Sequence, residues 1–158
     1  MRHAIALLVA LAAAGAAGCA GDDSPVQLPV APPSAITVAA PTGTITGTAV
    51  STMIAGTVDC APDRGIGLHA STGGGAVTVV FPRWPEEGAV YDLSVPGTID
   101  FVVVSARADN HVYCAAEEGA SGTVVVNRFE QVGSRYLADV TLTGVVAGAT
   151  TIDAHLYH

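Results

Sequence analysis

From Ile36 to the last residue, apolar and polar side chains alternate, and no stretch of ten residues keeps a helical period. Successive residues of a strand point to opposite faces, so a period of two marks a half-buried β-strand. An amphipathic helix would repeat every three to four residues instead. The pattern is cleanest near the C-terminus. There Tyr136, Ala138, Val140 and Leu142 alternate with Leu137, Asp139, Thr141 and Thr143, and Ile152, Ala154 and Leu156 alternate with Asp153, His155 and Tyr157. A chain patterned in this way must bury one face of a sheet.

The alternation predicts strands over residues 44–50, 53–60, 66–70, 76–81, 89–93, 98–105, 111–115, 122–129, 135–143 and 150–157. Between them lie turn formers: Pro62-Asp63-Arg64-Gly65, Ser71 to Gly75, Pro85 to Gly88, Asp109-Asn110 and Gly119 to Gly122. Short strands at such spacing predict an all-β fold, either an antiparallel β-sandwich or a small β-barrel of about ten short strands. The 18 glycines fit tight corners and bulges in both.

The N-terminus follows another rule. Met1-Arg2-His3 precedes a run of Ala and Leu that ends in small residues at Gly18, too short for a comfortable membrane span and built like an export signal. Ala16-Ala17-Gly18-Cys19 resembles a bacterial lipobox. The resemblance implies that residues 1–18 are a lipoprotein signal peptide and that Cys19 carries lipid as the mature N-terminus. It implies an extracytoplasmic place in the cell envelope. Ala20 is not the Asp that retains many lipoproteins in an inner membrane, so outer-membrane sorting is implied where the host has one. Residues 20–35 hold four prolines, two adjacent acids and no period, and are predicted to form a semi-rigid tether reaching on the order of 40–50 Å. Residues 36–158 form the predicted β-domain. Its segment from Ser121-Gly122-Thr123 through residues 135–144 is similar to a theme in bacterial lipoproteins that follow a lipobox and Pro-rich tether with β-strands. That likeness implies a fold type and an address, and carries no activity.

Beyond the signal, five arginines stand against 14 acids, a charge of −9, and the chain contains no Lys. Nothing in such a chain neutralises a phosphate backbone, which excludes nucleic acid as a partner. Electrostatic adhesion to anionic lipid is excluded on the same ground. The predicted membrane contact is the lipid on Cys19, where each buried methylene contributes about 0.8 kcal/mol.

With Cys19 assigned to lipid, Cys60 and Cys114 remain as an even pair in an oxidising compartment. In the predicted strands Ile54, Val58 and Cys60 share one face, and Val112 shares another with Cys114, so both sulfurs project among apolar neighbours. A disulfide is predicted; a metal site on two thiols is the alternative.

No catalytic set can be assembled. Asp109-Asn110-His111 places a base beside a carboxylate, but Asp and Asn suit the positive φ of a hairpin turn, and no nucleophile accompanies them. His155 and His158 have a spacing that on a strand sends the two rings to opposite faces, and no metal site is predicted from them. The acid pairs Asp22-Asp23, Glu86-Glu87 and Glu117-Glu118 lack the alternating ligands of a calcium loop. Ser71 to Gly75 precedes a strand, not the helix that a phosphate cradle needs. No cofactor is expected and the chain is not expected to be an enzyme.

One loop has chemical character. Phe81-Pro82-Arg83-Trp84-Pro85-Glu86-Glu87 combines the single Trp with an Arg, two carboxylates and two prolines that fix φ. Arg83, Trp84, Glu86 and Glu87 are the candidate ligand-binding residues, an apolar platform with directional hydrogen bonds suited to an envelope glycan or protein. Alternatively, Trp84 folds inward and plugs one end of the core. The predicted function is a lipid-anchored binding or structural module of the envelope. A hydrolase-inhibitor lipoprotein is the second reading, because Ser134-Arg135-Tyr136 resembles the small β-barrel lipoproteins that inhibit lysozyme. A small secreted enzyme is the third.

Overall fold

A computed structural model describes Val30, residues 32–56, Cys60, residues 64–115 and residues 119–158. The predicted signal peptide, Cys19 with the sequence resembling a lipobox, most of the predicted tether and the acid pairs Asp22-Asp23 and Glu117-Glu118 lie outside the described residues.

The described residues form eleven strands: β1 Ser34–Ala40, β2 Gly43–Ala49, β3 Ser51–Gly56, β4 Gly65–Ser71, β5 Gly75–Phe81, β6 Val90–Asp92, β7 Val103–Ala108, β8 His111–Cys114, β9 Ser121–Val132, β10 Arg135–Ala147 and β11 Thr150–Tyr157. They build two antiparallel sheets, one in the order β2-β1-β11-β10-β9-β6 and the other in the order β3-β4-β5-β7-β8. Neither sheet closes on itself, so the fold is a β-sandwich and not a barrel.

Alternation explains the packing. Ile36 and Val38 of β1, Val140 and Leu142 of β10, and Ile152 and Leu156 of β11 point inward from the larger sheet. Leu68 of β4, Val77, Val79 and Phe81 of β5, and Val104 of β7 meet them from the smaller one. Burying each such side chain contributes about 1.5–3 kcal/mol, and together they lock the two sheets face to face. β2 and β3 are nearly one strand. Val50 alone separates them, and at that residue the chain passes from one sheet to the other.

The sandwich departs from the predicted strands in four places. β1 lies where the tether was expected to end, because Pro32-Pro33 and three flanking alanines obscure the inward pair Ile36 and Val38. The strand predicted over 53–60 ends at Gly56 (φ 128°), and Cys60 sits in a turn with φ 72°. Residues 98–100 form a 3₁₀ turn after Gly97 (φ 86°), and their strand begins only at Val103. β9 and β10 run past their predicted ends, to Val132 and Ala147. Bulges permit that length: the β9–β10 register slips between Asp139 and Val140 and again between Thr143 and Val146. At the second slip Gly122 (φ 97°) faces the Gly144 carbonyl so closely that a Cβ would collide with it.

Cys60 and Cys114 form a disulfide, Cα to Cα 5.7 Å, across a separation of 54 residues. It lies outside the sandwich core. Cys60 packs with Ile54, Val80 and Val103 on the outer face of the smaller sheet, and Cys114, at the end of the edge strand β8, holds it there. Cys60 is thereby held over one half of that outer face. Residues 57–59, including Val58, lie outside the described residues.

Candidate functional site

Two depressions lie at opposite ends of the smaller sheet. The first is built around Trp84. Phe81 closes β5 inside the core, Pro82 turns the chain outward, and buried Pro85 fixes its return, leaving Arg83 and Trp84 on the surface. The indole stands edge-on to Phe129 of β9, with ring centroids 5.0 Å apart at 82°, and tilted against Tyr136 of β10 at 6.0 Å. Phe129 in turn meets Phe81 edge-on at 5.5 Å. An aromatic relay thus runs from the core to the surface and joins the two sheets. Trp84 still keeps 47% of its surface exposed, so it neither plugs the core nor stands free.

Arg64, preceding β4, and Arg83 line the depression of about 700 Å³ beside Trp84, with Ile66 and Pro82 as apolar walls. Among the described residues no carboxylate pairs with either guanidinium. Glu86 and Glu87 are exposed but do not line this depression. Glu86 faces Tyr91, whose phenol is held above its ordinary value of 10.0 by burial and then by the Glu86 charge. The structure thus brings Arg83 and Trp84 together and adds Arg64, which the sequence offered only as part of a turn.

Comparison with known protein families, curated proteins and solved structures finds no match. The chemistry of this chain has to be read from its own geometry.

The second depression occupies the half of the smaller sheet's outer face away from Cys60. It has a volume of about 760 Å³ and a floor of short side chains, Ala76 and Thr78 of β5 and Ser105 of β7. His69 of β4 crosses that floor and hydrogen-bonds through Nδ1 to Thr78 Oγ1 at 2.9 Å. The rim includes Arg107 and the β7–β8 turn. Asp109 (φ 53°) and Asn110 (φ 62°) make that turn with left-handed backbone at both positions, as a two-residue hairpin requires. His111 beyond it is exposed, its ring 6.5 Å from Tyr113.

The histidines at the tail are held separately. His155 lies on the outer face of the larger sheet, with Nε2 2.7 Å from Asp139 Oδ1 and Nδ1 2.8 Å from the Tyr157 hydroxyl. In the neutral ring Nε2–H donates to Asp139 and Nδ1 accepts from Tyr157. Burial, then the Asp139 charge, keeps the Tyr157 phenol above its ordinary 10.0. Asn127, the unpaired residue at the β9 bulge, donates to Asp139 and Thr141 at 2.8 and 2.9 Å. His158 instead donates from Nδ1 to the Ser51 carbonyl at 3.1 Å. Each side chain of this outer-face network holds a neighbour, which gives it a bracing role across β9, β10 and β11.

Sequence reasoning missed the second depression. Positions 67, 69 and 71, then 76, 78 and 80, then 103, 105 and 107 are legible as outward sets. That β4, β5 and β7 lie side by side is a fact of topology.

Proposed function

We propose that the chain is a lipid-anchored binding module of the bacterial envelope, held to a membrane by Cys19 and its tether and contacting an acidic glycan at the Trp84 depression. The supporting observation is the half-exposed indole, backed by Phe129 and Tyr136 and flanked by Arg64 and Arg83. A sugar ring stacks its apolar face on an indole, and two guanidiniums offer paired donors to a carboxylate. In a domain of strongly negative charge, their convergence sets the sign of the ligand. The module acts by binding, without turnover.

Two measurements test this. Palmitate labelling in a bacterial host should mark the wild type and not Cys19→Ser. The fluorescence of Trp84 should shift when uronic-acid or sialylated oligosaccharides are added, and Arg83→Ala with Arg64→Ala should abolish the shift. Equal response to neutral sugars, or inhibition of lysozyme by the unliganded protein, would replace this reading, the latter in favour of a hydrolase inhibitor.

A further inference from the structure

We infer that the open half of the smaller sheet's outer face is a second ligand site, built for a neutral, hydroxyl-rich molecule such as a short saccharide. The deciding group is Ser105. This residue is only 7% exposed and lines the depression, and among the described residues its hydroxyl meets no hydrogen-bond partner. Among the described residues only the Thr150 hydroxyl is buried without a partner, so the Ser105 oxygen reaches the open depression and can bond what enters it.

The surrounding chemistry narrows the occupant. Thr78 holds His69 through Nδ1 and leaves Nε2 without a partner among the described residues. Because the Thr78 hydroxyl can donate or accept, the ring can present Nε2 as acceptor or as donor. Ser105 and Ser71 have the same double capacity. A sugar hydroxyl also donates and accepts at once, so each of these groups can satisfy it in either sense. Arg107 at the rim already makes an interaction within the protein, and Asp109 stands on the same rim with the opposite charge. No net charge is left to select an ion. Ala76 and Val112 supply the apolar surface that a ring face covers. A volume of about 760 Å³ falls within the range of roughly 300–1,000 Å³ typical of small-molecule sites, room for more than one ring.

The shape has a simple origin. Where the outer-facing residues are Ile54, Val80 and Val103, Cys60 packs on them; where they are Ser71, Ala76, Thr78 and Ser105, nothing among the described residues does. The site is independent of Trp84, which lies at the other end of the sheet.

The test is titration calorimetry of the full lipidated protein in a detergent without a sugar headgroup, against neutral di- and trisaccharides of glucose, galactose, mannose and N-acetylglucosamine. At least one should bind with a dissociation constant in the millimolar range or tighter. Ser105→Val removes the hydroxyl without removing a contact of the fold, and should weaken that binding about threefold to tenfold while leaving the unfolding temperature unchanged or raised. Ala76→Phe, which fills the floor, should abolish binding, and Trp84→Ala should leave it intact. Absence of binding by every sugar in the panel, binding indifferent to both Ser105→Val and Ala76→Phe, or a preference for a zwitterionic amino acid over all the sugars would overturn the inference.

Discussion

Replacing both Cys60 and Cys114 by Ser removes a cross-link without leaving a free thiol, and its cost can be worked from the fold. The bond closes a loop of 54 residues. In the chain-entropy account that closure restrains the unfolded chain by about 4 kcal/mol at 25 °C, a large part of the stability of a domain this size. The loss should lower the unfolding temperature by on the order of 10–20 °C. Packing adds to it: Val80 and Val103, on which Cys60 packs, are each only 2% exposed, and they would gain access to water. Urea unfolding followed by the fluorescence of the single Trp reads both effects. The midpoint should fall, and the slope should steepen, because an unfolded chain freed of its cross-link exposes more surface. The wild type under dithiothreitol should follow the same curve as the double variant. A midpoint stability within about 1 kcal/mol of the oxidised wild type would refute the reasoning, since neither closure entropy nor the cover over Val80 and Val103 would then be acting.

Three further outcomes are expected. Thr150 is 1% exposed and its hydroxyl is buried without a partner, so Thr150→Val should stabilise the domain by about 1 kcal/mol in a urea titration; a loss of that size would show that the hydroxyl is satisfied. Gly122→Ala places a methyl against the Gly144 carbonyl at positive φ and should cost about 1–3 kcal/mol, whereas Gly133→Ala, with open space at its Cβ, should cost less. The Asp92 carboxylate accepts from the Ser94 hydroxyl at 2.6 Å and the Ser94 amide at 2.9 Å, and these bonds hold its pKa below the ordinary 3.8. A folded pKa below the unfolded one gives stability that is present above the unfolded value and is lost as pH falls through the folded value. Carboxyl-detected NMR should therefore show Asp92 titrating on the acid side of 3.8, and Ser94→Ala should move it upward.

The parts of the fold written in one strand at a time could be read directly. In β11, Ile152, Ala154 and Leu156 announce their own burial because each polar neighbour contrasts with them. In β1 the same contrast is missing: Ala35, Ala39 and Ala40 suit either face, and only the ladders with β2 and β11 decide. The pairing of Cys60 with Cys114 followed from their even number once Cys19 is set aside, together with the compartment the lipobox resemblance implies. Their position outside the core did not, because it depends on β3 ending four residues before Cys60. For the same reason Trp84 and Arg83 were recognisable in one short segment. Ser105 was an ordinary strand serine until β5 and β7 set it beside Thr78.

Ser34 begins β1 at a crowded junction. Its hydroxyl accepts from the Tyr157 amide at 2.9 Å and shares a hydrogen bond with Ser51, the first residue of β3. β1 itself is paired on both sides, with β2 from Ser34 to Ala40 and with β11 from Ala35 to Ala39. A pull transmitted through the residues before Ser34 acts along the axis of β1. It loads the two ladders together in shear, so many hydrogen bonds resist at once and none can be unzipped in turn. The domain is thus joined to whatever precedes it by a strand placed to carry tension, and a load there reaches the sheet before it can peel an edge.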